Sequence, residues 1–168
     1  MNWEAVGAIS DAIGVVGVIA SLAYLGVQVR QSNHATQAAT VDQITGRFIS
    51  WLQNSGKNEN LFLAYRDGLS AMAEMTLQSR SDVFANLAVL FRMTETIHYQ
   101  RVKGFVDDEV WLGWQNWIAS VKSYEVVQYY WQAKAPNHSA GFRVFWDALP
   151  ASQDASLMSL IKSVGNPV

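Results

Sequence analysis

The most prominent hydrophobic pattern in the chain is a long apolar segment near its N-terminus. Residues 6–29 read VGAISDAIGVVGVIASLAYLGVQV and carry a single charge, at Asp11. As an α-helix this segment would be about 36 Å long, which exceeds the roughly 30 Å hydrocarbon core of a bilayer. Trp3 and Tyr24 lie toward its two ends, where amphipathic rings favour the headgroup region. The pattern predicts a transmembrane helix retained as an anchor, the alternative being a buried core helix.

One face of this helix combines small and polar residues at spacings of three and four. We call this set the seam: Gly7, Ser10, Gly14, Gly17, Ser21, Tyr24 and Gln28. Small residues let membrane helices approach closely, while the aliphatic residues on the remaining surface suit lipid. Because one span has no second span to pack on, the seam predicts association with another copy or with a different membrane protein. Asp11 lies beside the seam. It has two interpretations: an acid at the membrane interface, or an acid that lines a pore or binds a partner.

The rest of the chain follows the helical period, and no run shows sustained β alternation. The first helix is predicted to continue to about Gln53. Further helices are predicted over Glu59–Asp67, Leu77–Lys103, Asp107–Ser123, onward to Lys134 and over Ser139–Leu149, before a weakly amphipathic tail. The expected stops are Gly68, Gly104 and Pro136, and the expected caps are Asp107 and Ser139.

These elements define an all-α fold in two parts. Residues 1–34 are predicted to form the transmembrane anchor and oligomerisation helix, which continues into a helical-bundle domain over residues 35–168. The central helix of that domain is expected to turn the following residues inward: Val83, Leu87, Leu90, Phe91, Thr94 and Ile97.

Charge and composition narrow the possible partners. The formal net charge is −2, and no segment has the basic excess that phosphate neutralisation requires, so nucleic acid is an unfavoured partner. The absence of cysteine excludes disulfides, thiolate metal sites and a cysteine nucleophile. Arg30 and Arg47 follow the apolar segment while no basic residue precedes it. This asymmetry predicts a single-pass protein with its N-terminus outside and its helical domain in the cytoplasm.

The candidates for chemistry centre on three histidines, His34, His98 and His138. Glu95-x-x-His98 has the spacing of half a di-iron carboxylate site, but no second Glu-x-x-His is present, so a polar contact is favoured and no metal or cofactor is predicted. Arg92 and His98 are separated by five residues, which resembles the R-x(4–6)-H signature of HEPN ribonucleases. That resemblance implies proton transfer by the histidine and phosphate stabilisation by the arginine. Chance matches to so short a pattern are common, so both are weak catalytic candidates.

Three tryptophans, Trp111, Trp114 and Trp117, recur at spacings of three on the helix after Asp107. Such a spacing drifts around a helix, so two of the rings can share a face but all three cannot lie on one narrow stripe. Bulky aromatic residues in a small helical domain are typical of a core or a subunit interface, and this reading is favoured over a ligand cage.

Four segments carry a family resemblance: MNWEAVGAI, SLAYLGVQVRQ, TETIHYQRVKGFVDDEVWLGW and GFRVFWDAL. Taken in order, they resemble a widespread group of short bacterial proteins with one N-terminal span and a helical domain. The resemblance implies an inner-membrane protein of that architecture and carries over no catalytic residue. The architecture is also similar to a CRISPR-associated accessory protein with a HEPN-like domain, which implies an oligomeric ring around a membrane channel.

Three functional hypotheses follow. The first is a homo-oligomeric, structural or pore-forming membrane protein that assembles in lipid through the seam. The second is an accessory subunit that binds a partner membrane complex through the seam or the aromatic helix. The third is a membrane-anchored ribonuclease that uses Arg92 and His98. The first two are not enzymes, and the first is preferred.

Overall fold

The computed structural model describes the backbone of residues 3–152 and the side chains of residues 14, 15 and 17–152. Over these residues the chain is all-α, as predicted, and contains no strand. The elements in chain order are α1 (Trp3–Ser55), α2 (Glu59–Glu74), α3 (Leu77–Val102), α4 (Asp108–Lys122), α5 (Glu125–Lys134), a 3₁₀ turn (Ala135–Asn137) and α6 (Ala140–Ala148). The C-terminal tail lies outside the described residues.

The chain divides into two units, with the division after Ala39. The boundary predicted from the sequence, after residue 34, lies five residues earlier on the same helix. Among the described residues, no helix combines the length and the apolarity that a membrane crossing needs. The predicted span over residues 6–29 includes residues 6–13 and 16, whose side chains lie outside the description.

The predicted helix ends at Gly104 and Asp107 are confirmed by local geometry. Gly104 has φ +78°, a left-handed conformation that glycine adopts without steric cost, and it ends the run that begins at Leu77. Asp107 caps α4, because its Oδ1 accepts a hydrogen bond from the backbone N–H of Val110 at 2.9 Å. Asp108 and Glu109 then place negative charge in the first turn, at the positive end of the helix dipole.

Gly68 breaks the helix at the position where the sequence predicts a stop, and a second helical segment that was not predicted follows it. The backbone kinks there, with φ +65° and ψ −139°, and α2 then continues to Glu74. The Oε2 atom of Glu125 accepts a hydrogen bond from the backbone N–H of Leu69 at 3.0 Å. A carboxylate from α5 thus caps the second half of α2, so the helix can restart immediately after the break.

Ser139 does precede α6, but its side chain makes no capping hydrogen bond. Instead, the backbone N–H of Ser139 donates to Oε1 of Glu95 at 2.7 Å. The prediction that the Ser139 hydroxyl caps α6 was therefore wrong. The carboxylate of Glu95, on α3, binds the backbone at this position instead.

The core of the helical domain is built around α3. All six residues predicted to point inward are buried, and Thr94 satisfies its hydroxyl by donating to the carbonyl oxygen of Phe91 at 3.0 Å. Phe91 lies among aromatic rings from α5 and α6, with ring centroids at 5.2 Å from Tyr130 and 4.6 Å from Trp146. The C-terminal part of α1 contributes Ile44 to the same core.

Candidate functional site

The seam of α1 is described from Gly14 to Gln28, while Gly7, Ser10 and Asp11 have side chains outside the described residues. A Cβ atom built on Gly14 or Gly17 would meet no other atom within 4 Å, so both glycines border open space. The polar members make hydrogen bonds within their own helix. Ser21 Oγ donates to the carbonyl oxygen of Gly17 at 2.8 Å, and Gln28 Nε2 donates to the hydroxyl of Tyr24 at 3.0 Å.

Aliphatic side chains cover the other faces of this part of α1. Seven of them are between 52% and 63% exposed: Val15, Val18, Ile19, Leu22, Leu25, Val27 and Val29. Soluble monomers rarely expose apolar patches of this extent, and a large exposed patch marks a membrane or protein interaction surface. The region therefore combines a small, polar stripe with a continuous aliphatic surface.

Arg92 and Glu95 take part in a polar cluster that fastens α3 to the segment before α6. Glu95 Oε2 lies 2.8 Å from His138 Nδ1 and accepts from Arg92 Nη1 at 2.8 Å. Arg92 Nη2 also donates to the carbonyl oxygen of Asn137 at 3.1 Å. Burial alone would raise the pKa of Glu95, but hydrogen bonds from the Ser139 backbone and from His138 prevail and lower it to about 2.

His98 is not part of that cluster. It follows Arg92 by six positions on α3, which places the two side chains about 120° apart around the helix. The His98 ring stacks on Phe145 at a centroid distance of 4.7 Å and lies 6.0 Å from Trp111. Burial lowers the pKa of His98, and the nearby Glu95 carboxylate offsets part of that effect. Within one chain, Arg92 therefore holds the backbone near His138 while His98 packs among aromatic rings.

The tryptophan series divides between two aromatic clusters. Trp114 and Trp117 meet Phe48 of α1 in edge-to-face contacts, with centroid distances of 5.0 and 4.8 Å. Trp111 instead lies 5.3 Å from Phe145 of α6. All three rings are partly buried against the core, so they join α4 to its neighbours on two sides.

A groove of about 880 Å³ runs along the surface between α1 and α3. Its floor is apolar and its rim is polar, a pattern common to ligand and helix-binding grooves. The lining residues are Gln43, Ile44, Gly46, Arg47, Ser50, Trp51, Asn54, Asn86, Ala88, Val89, Arg92, Met93 and Thr96. Only two of them, Arg47 and Arg92, are charged.

Sequence reasoning missed both the role of Glu95 as the centre of a polar cluster and the burial of His138. His138 is 43 residues from Glu95 along the chain, so no local spacing signals their contact. The pairing of Glu95 with His98, which the sequence suggested, is replaced by a pairing with His138. No group of three potential metal ligands lies together in the part of the chain that the structure describes.

Fold and geometry together define an all-α protein with an exposed apolar helix. No family model matches the chain, and comparison with curated proteins and with solved structures finds no match. The resemblance to the short bacterial membrane proteins therefore stays a prediction.

Proposed function

We propose that this protein is a membrane-anchored homo-oligomer, structural or pore-forming, whose copies associate through the seam of α1. The observation that carries the proposal is the exposure of seven aliphatic side chains on the same helix that borders open space at Gly14 and Gly17. Aliphatic surface suits lipid tails, and small residues allow the close backbone approach that drives helix association in a bilayer.

The hydrogen bonds of the seam support an apolar setting. Ser21 satisfies its hydroxyl within the helix, on the carbonyl oxygen of Gly17. Tyr24 and Gln28 pair with each other one turn apart. Polar side chains in lipid need such partners, because an unsatisfied group in hydrocarbon costs several kcal/mol. The remaining hydrogen-bonding capacity of Gln28 and Tyr24 is available to a neighbouring copy.

The contact is tested by filling the seam. Replacing both Gly14 and Gly17 with leucine should reduce the complex to monomers, because the added side chains prevent close approach. Gly26→Leu is the matched control. It lies about 180° around the helix from Gly17, and a Cβ there also meets nothing within 4 Å. Native mass spectrometry in detergent reads out the copy number, and an unchanged mass in the Gly14/Gly17 double variant would contradict the seam contact.

Membrane anchoring is tested separately. The full chain should stay with the membrane fraction after extraction with alkaline carbonate, because exposed aliphatic surface holds it in lipid. Replacing Leu22 and Leu25 with aspartate should release the protein, since a charge in a hydrocarbon setting is unfavourable by about 2.5–3.5 kcal/mol per residue. Release of the unmodified protein by carbonate would rule out the anchor. If the protein is membrane-bound but monomeric, the seam would instead be expected to bind a different membrane protein.

A further inference from the structure

The groove between α1 and α3 lacks an occupant of its own among the described residues, and the same chain carries a surface that complements it. We propose that this groove binds the outer face of α4 from a second copy of the protein. That face, which we call the acidic stripe, consists of Glu109, Leu112, Gly113 and Asn116. The proposal concerns an interface distinct from the seam and does not depend on it.

Charge supports the pairing from the side of the groove. Its two charged lining residues are both arginines, and no carboxylate lines it. Arg92 is already engaged by Glu95. Arg47 makes no ion pair or hydrogen bond with any described residue. A guanidinium at the rim of a groove favours an anionic partner, and complementary charge fixes the register of an interface.

The acidic stripe supplies the matching charge. Glu109, in the first turn of α4, makes no ion pair or hydrogen bond with another described side chain, whereas its neighbour Asp108 pairs with Arg101. Spacings of three, four and seven residues place Glu109, Leu112, Gly113 and Asn116 on one side of the helix. All four are exposed, so the stripe is presented as a continuous surface.

Apolar contacts are also available on both sides. Leu112 is 58% exposed although it is large and apolar, and Val89 on the groove is 52% exposed. The floor of the groove adds the buried side chains of Ile44 and Met93. A helix laid in an apolar groove with its flanking charges paired at the rim is a recurring mode of helix recognition.

Glycines on both surfaces allow close approach. A Cβ on Gly46 of the groove, or on Gly113 of the acidic stripe, would meet nothing within 4 Å. The contact joins two different surfaces, so each copy can bind one neighbour through its groove and another through its stripe. Such a heterologous contact extends beyond a pair, whereas a self-complementary contact stops at a dimer.

The absence of cysteine from the natural sequence permits a clean crosslinking test. Chains carrying Val89→Cys and chains carrying Leu112→Cys are produced together in one cell under different affinity tags. A short bismaleimide is then added to the membranes. Because each chain holds one cysteine, only contact between copies gives a crosslinked dimer. The proposal predicts dimers that contain both tags and little product when either variant is produced alone.

Control cysteines establish that the crosslink reports the proposed faces. Leu77 and Val144 are 80% and 72% exposed, and neither belongs to the groove or to the acidic stripe. Val89→Cys paired with Leu77→Cys or Val144→Cys should give at least about fivefold less mixed dimer, as expected of a specific orientation. Equal yields in all pairings, or dominant product from Val89→Cys alone, would overturn the proposal. The second of these results would indicate a symmetric contact instead.

Charge exchange tests the chemistry of the contact. Arg47→Glu and Glu109→Arg, each introduced into the cysteine variants, should lower the mixed crosslink about fivefold or more because like charges then face each other. Combining both changes should restore the yield, whereas loss of folding would not be rescued. Failure of the combination to restore it would overturn the Arg47–Glu109 pairing. Repeating the crosslinking in chains that also carry Gly14→Leu and Gly17→Leu distinguishes the groove contact from the seam. If the groove contact forms independently, the mixed dimer should still be obtained when the seam is blocked.

Discussion

The N-terminal part of α1 and the whole of α3 both carry leucines at helical spacing, but these leucines have opposite surroundings. Leu22 and Leu25 on α1 are more than half exposed, whereas Leu87 and Leu90 on α3 are buried. Both segments are regular helices, so the difference lies in the pattern around the leucines. On α3 the apolar residues form one stripe, which a domain core can cover, while on α1 they surround the helix except at the seam. An apolar surface on nearly all sides suits lipid better than a single-faced core.

Truncating a core ring should produce the largest contrast between these two regions. Phe91→Ala removes a fully buried ring that contacts Tyr130, Trp131 and Trp146, and should lower the free energy of unfolding by about 3–5 kcal/mol. Leu22→Ala on exposed α1 is the comparison, with an expected change below about 0.5 kcal/mol. Urea unfolding of the helical domain, followed by tryptophan fluorescence in detergent, measures both. A similar loss of unfolding free energy for the two variants would show that Leu22 is buried to the same degree as the core.

The kink at Gly68 is expected to give the next largest effect. Gly68→Ala forces a side chain into a left-handed conformation, and its Cβ would lie 2.0 Å from Oε2 of Glu125. The predicted loss of stability is about 1–3 kcal/mol, since both backbone strain and a displaced carboxylate contribute. Gly141→Ala, at a helical site with nothing within 4 Å, should instead stabilise by about 0.5–1 kcal/mol. Thermal unfolding measures the stability of both variants. Unchanged stability in Gly68→Ala would mean that the fold does not require the kink.

The polar cluster around Glu95 should give a pH-dependent effect. The pKa of Glu95 is about 2 in the folded protein, below the ordinary value of 4.5. The Glu95 carboxylate therefore stabilises the fold when the pH is above 4.5. This stability is expected to decline as the pH falls from about 4.5 toward 2, where the folded carboxylate becomes protonated. Glu95→Gln should flatten that part of the stability profile and lower stability at pH 7 by about 1–2 kcal/mol. A profile with the same slope in both proteins would assign the acid sensitivity to other carboxylates.

The smallest effect is expected at Arg92. Its side chain is 61% exposed, and exposed ion pairs contribute only about 0.2–1 kcal/mol. Arg92→Ala should therefore destabilise slightly, and Arg143→Ala, which loses no ion pair with a described residue, should be neutral. Chemical unfolding at pH 7 in low and high salt distinguishes them, because salt should weaken the Arg92 effect. A loss above about 3 kcal/mol would mean that Arg92 supports the fold more than its exposure indicates.

The helices were predictable where local chemistry alone decides them. The inward stripe of α3, the cap at Asp107 and the stop at Gly104 all follow from spacing and from residue-specific backbone preferences. Gly68 shows the limit of that reasoning. The restart of the helix after Gly68 depends on Glu125, which caps the resumed helix from 56 positions beyond Leu69. Tertiary partners of this kind leave no periodic signal in the sequence.

The candidate surfaces, like the helices, were predictable only where a local pattern marks them. The seam and the aliphatic surface of α1 could be read from the chain, because both are periodic patterns on one helix. The Glu95–His138 pair and the groove between α1 and α3 could not, because each joins elements far apart in sequence. Arg92 illustrates the consequence: its spacing from His98 suggested catalysis, whereas its guanidinium binds Glu95 and the Asn137 carbonyl.

The mass of the complex purified in detergent is the most direct test of assembly through α1. Native mass spectrometry of the unmodified full chain should give a defined multiple of the 18.7 kDa protomer. The same measurement should give the protomer mass for Gly14→Leu/Gly17→Leu and the unmodified multiple for Gly26→Leu. A monomer in the unmodified protein, or an unchanged multiple in the seam variant, would contradict the account.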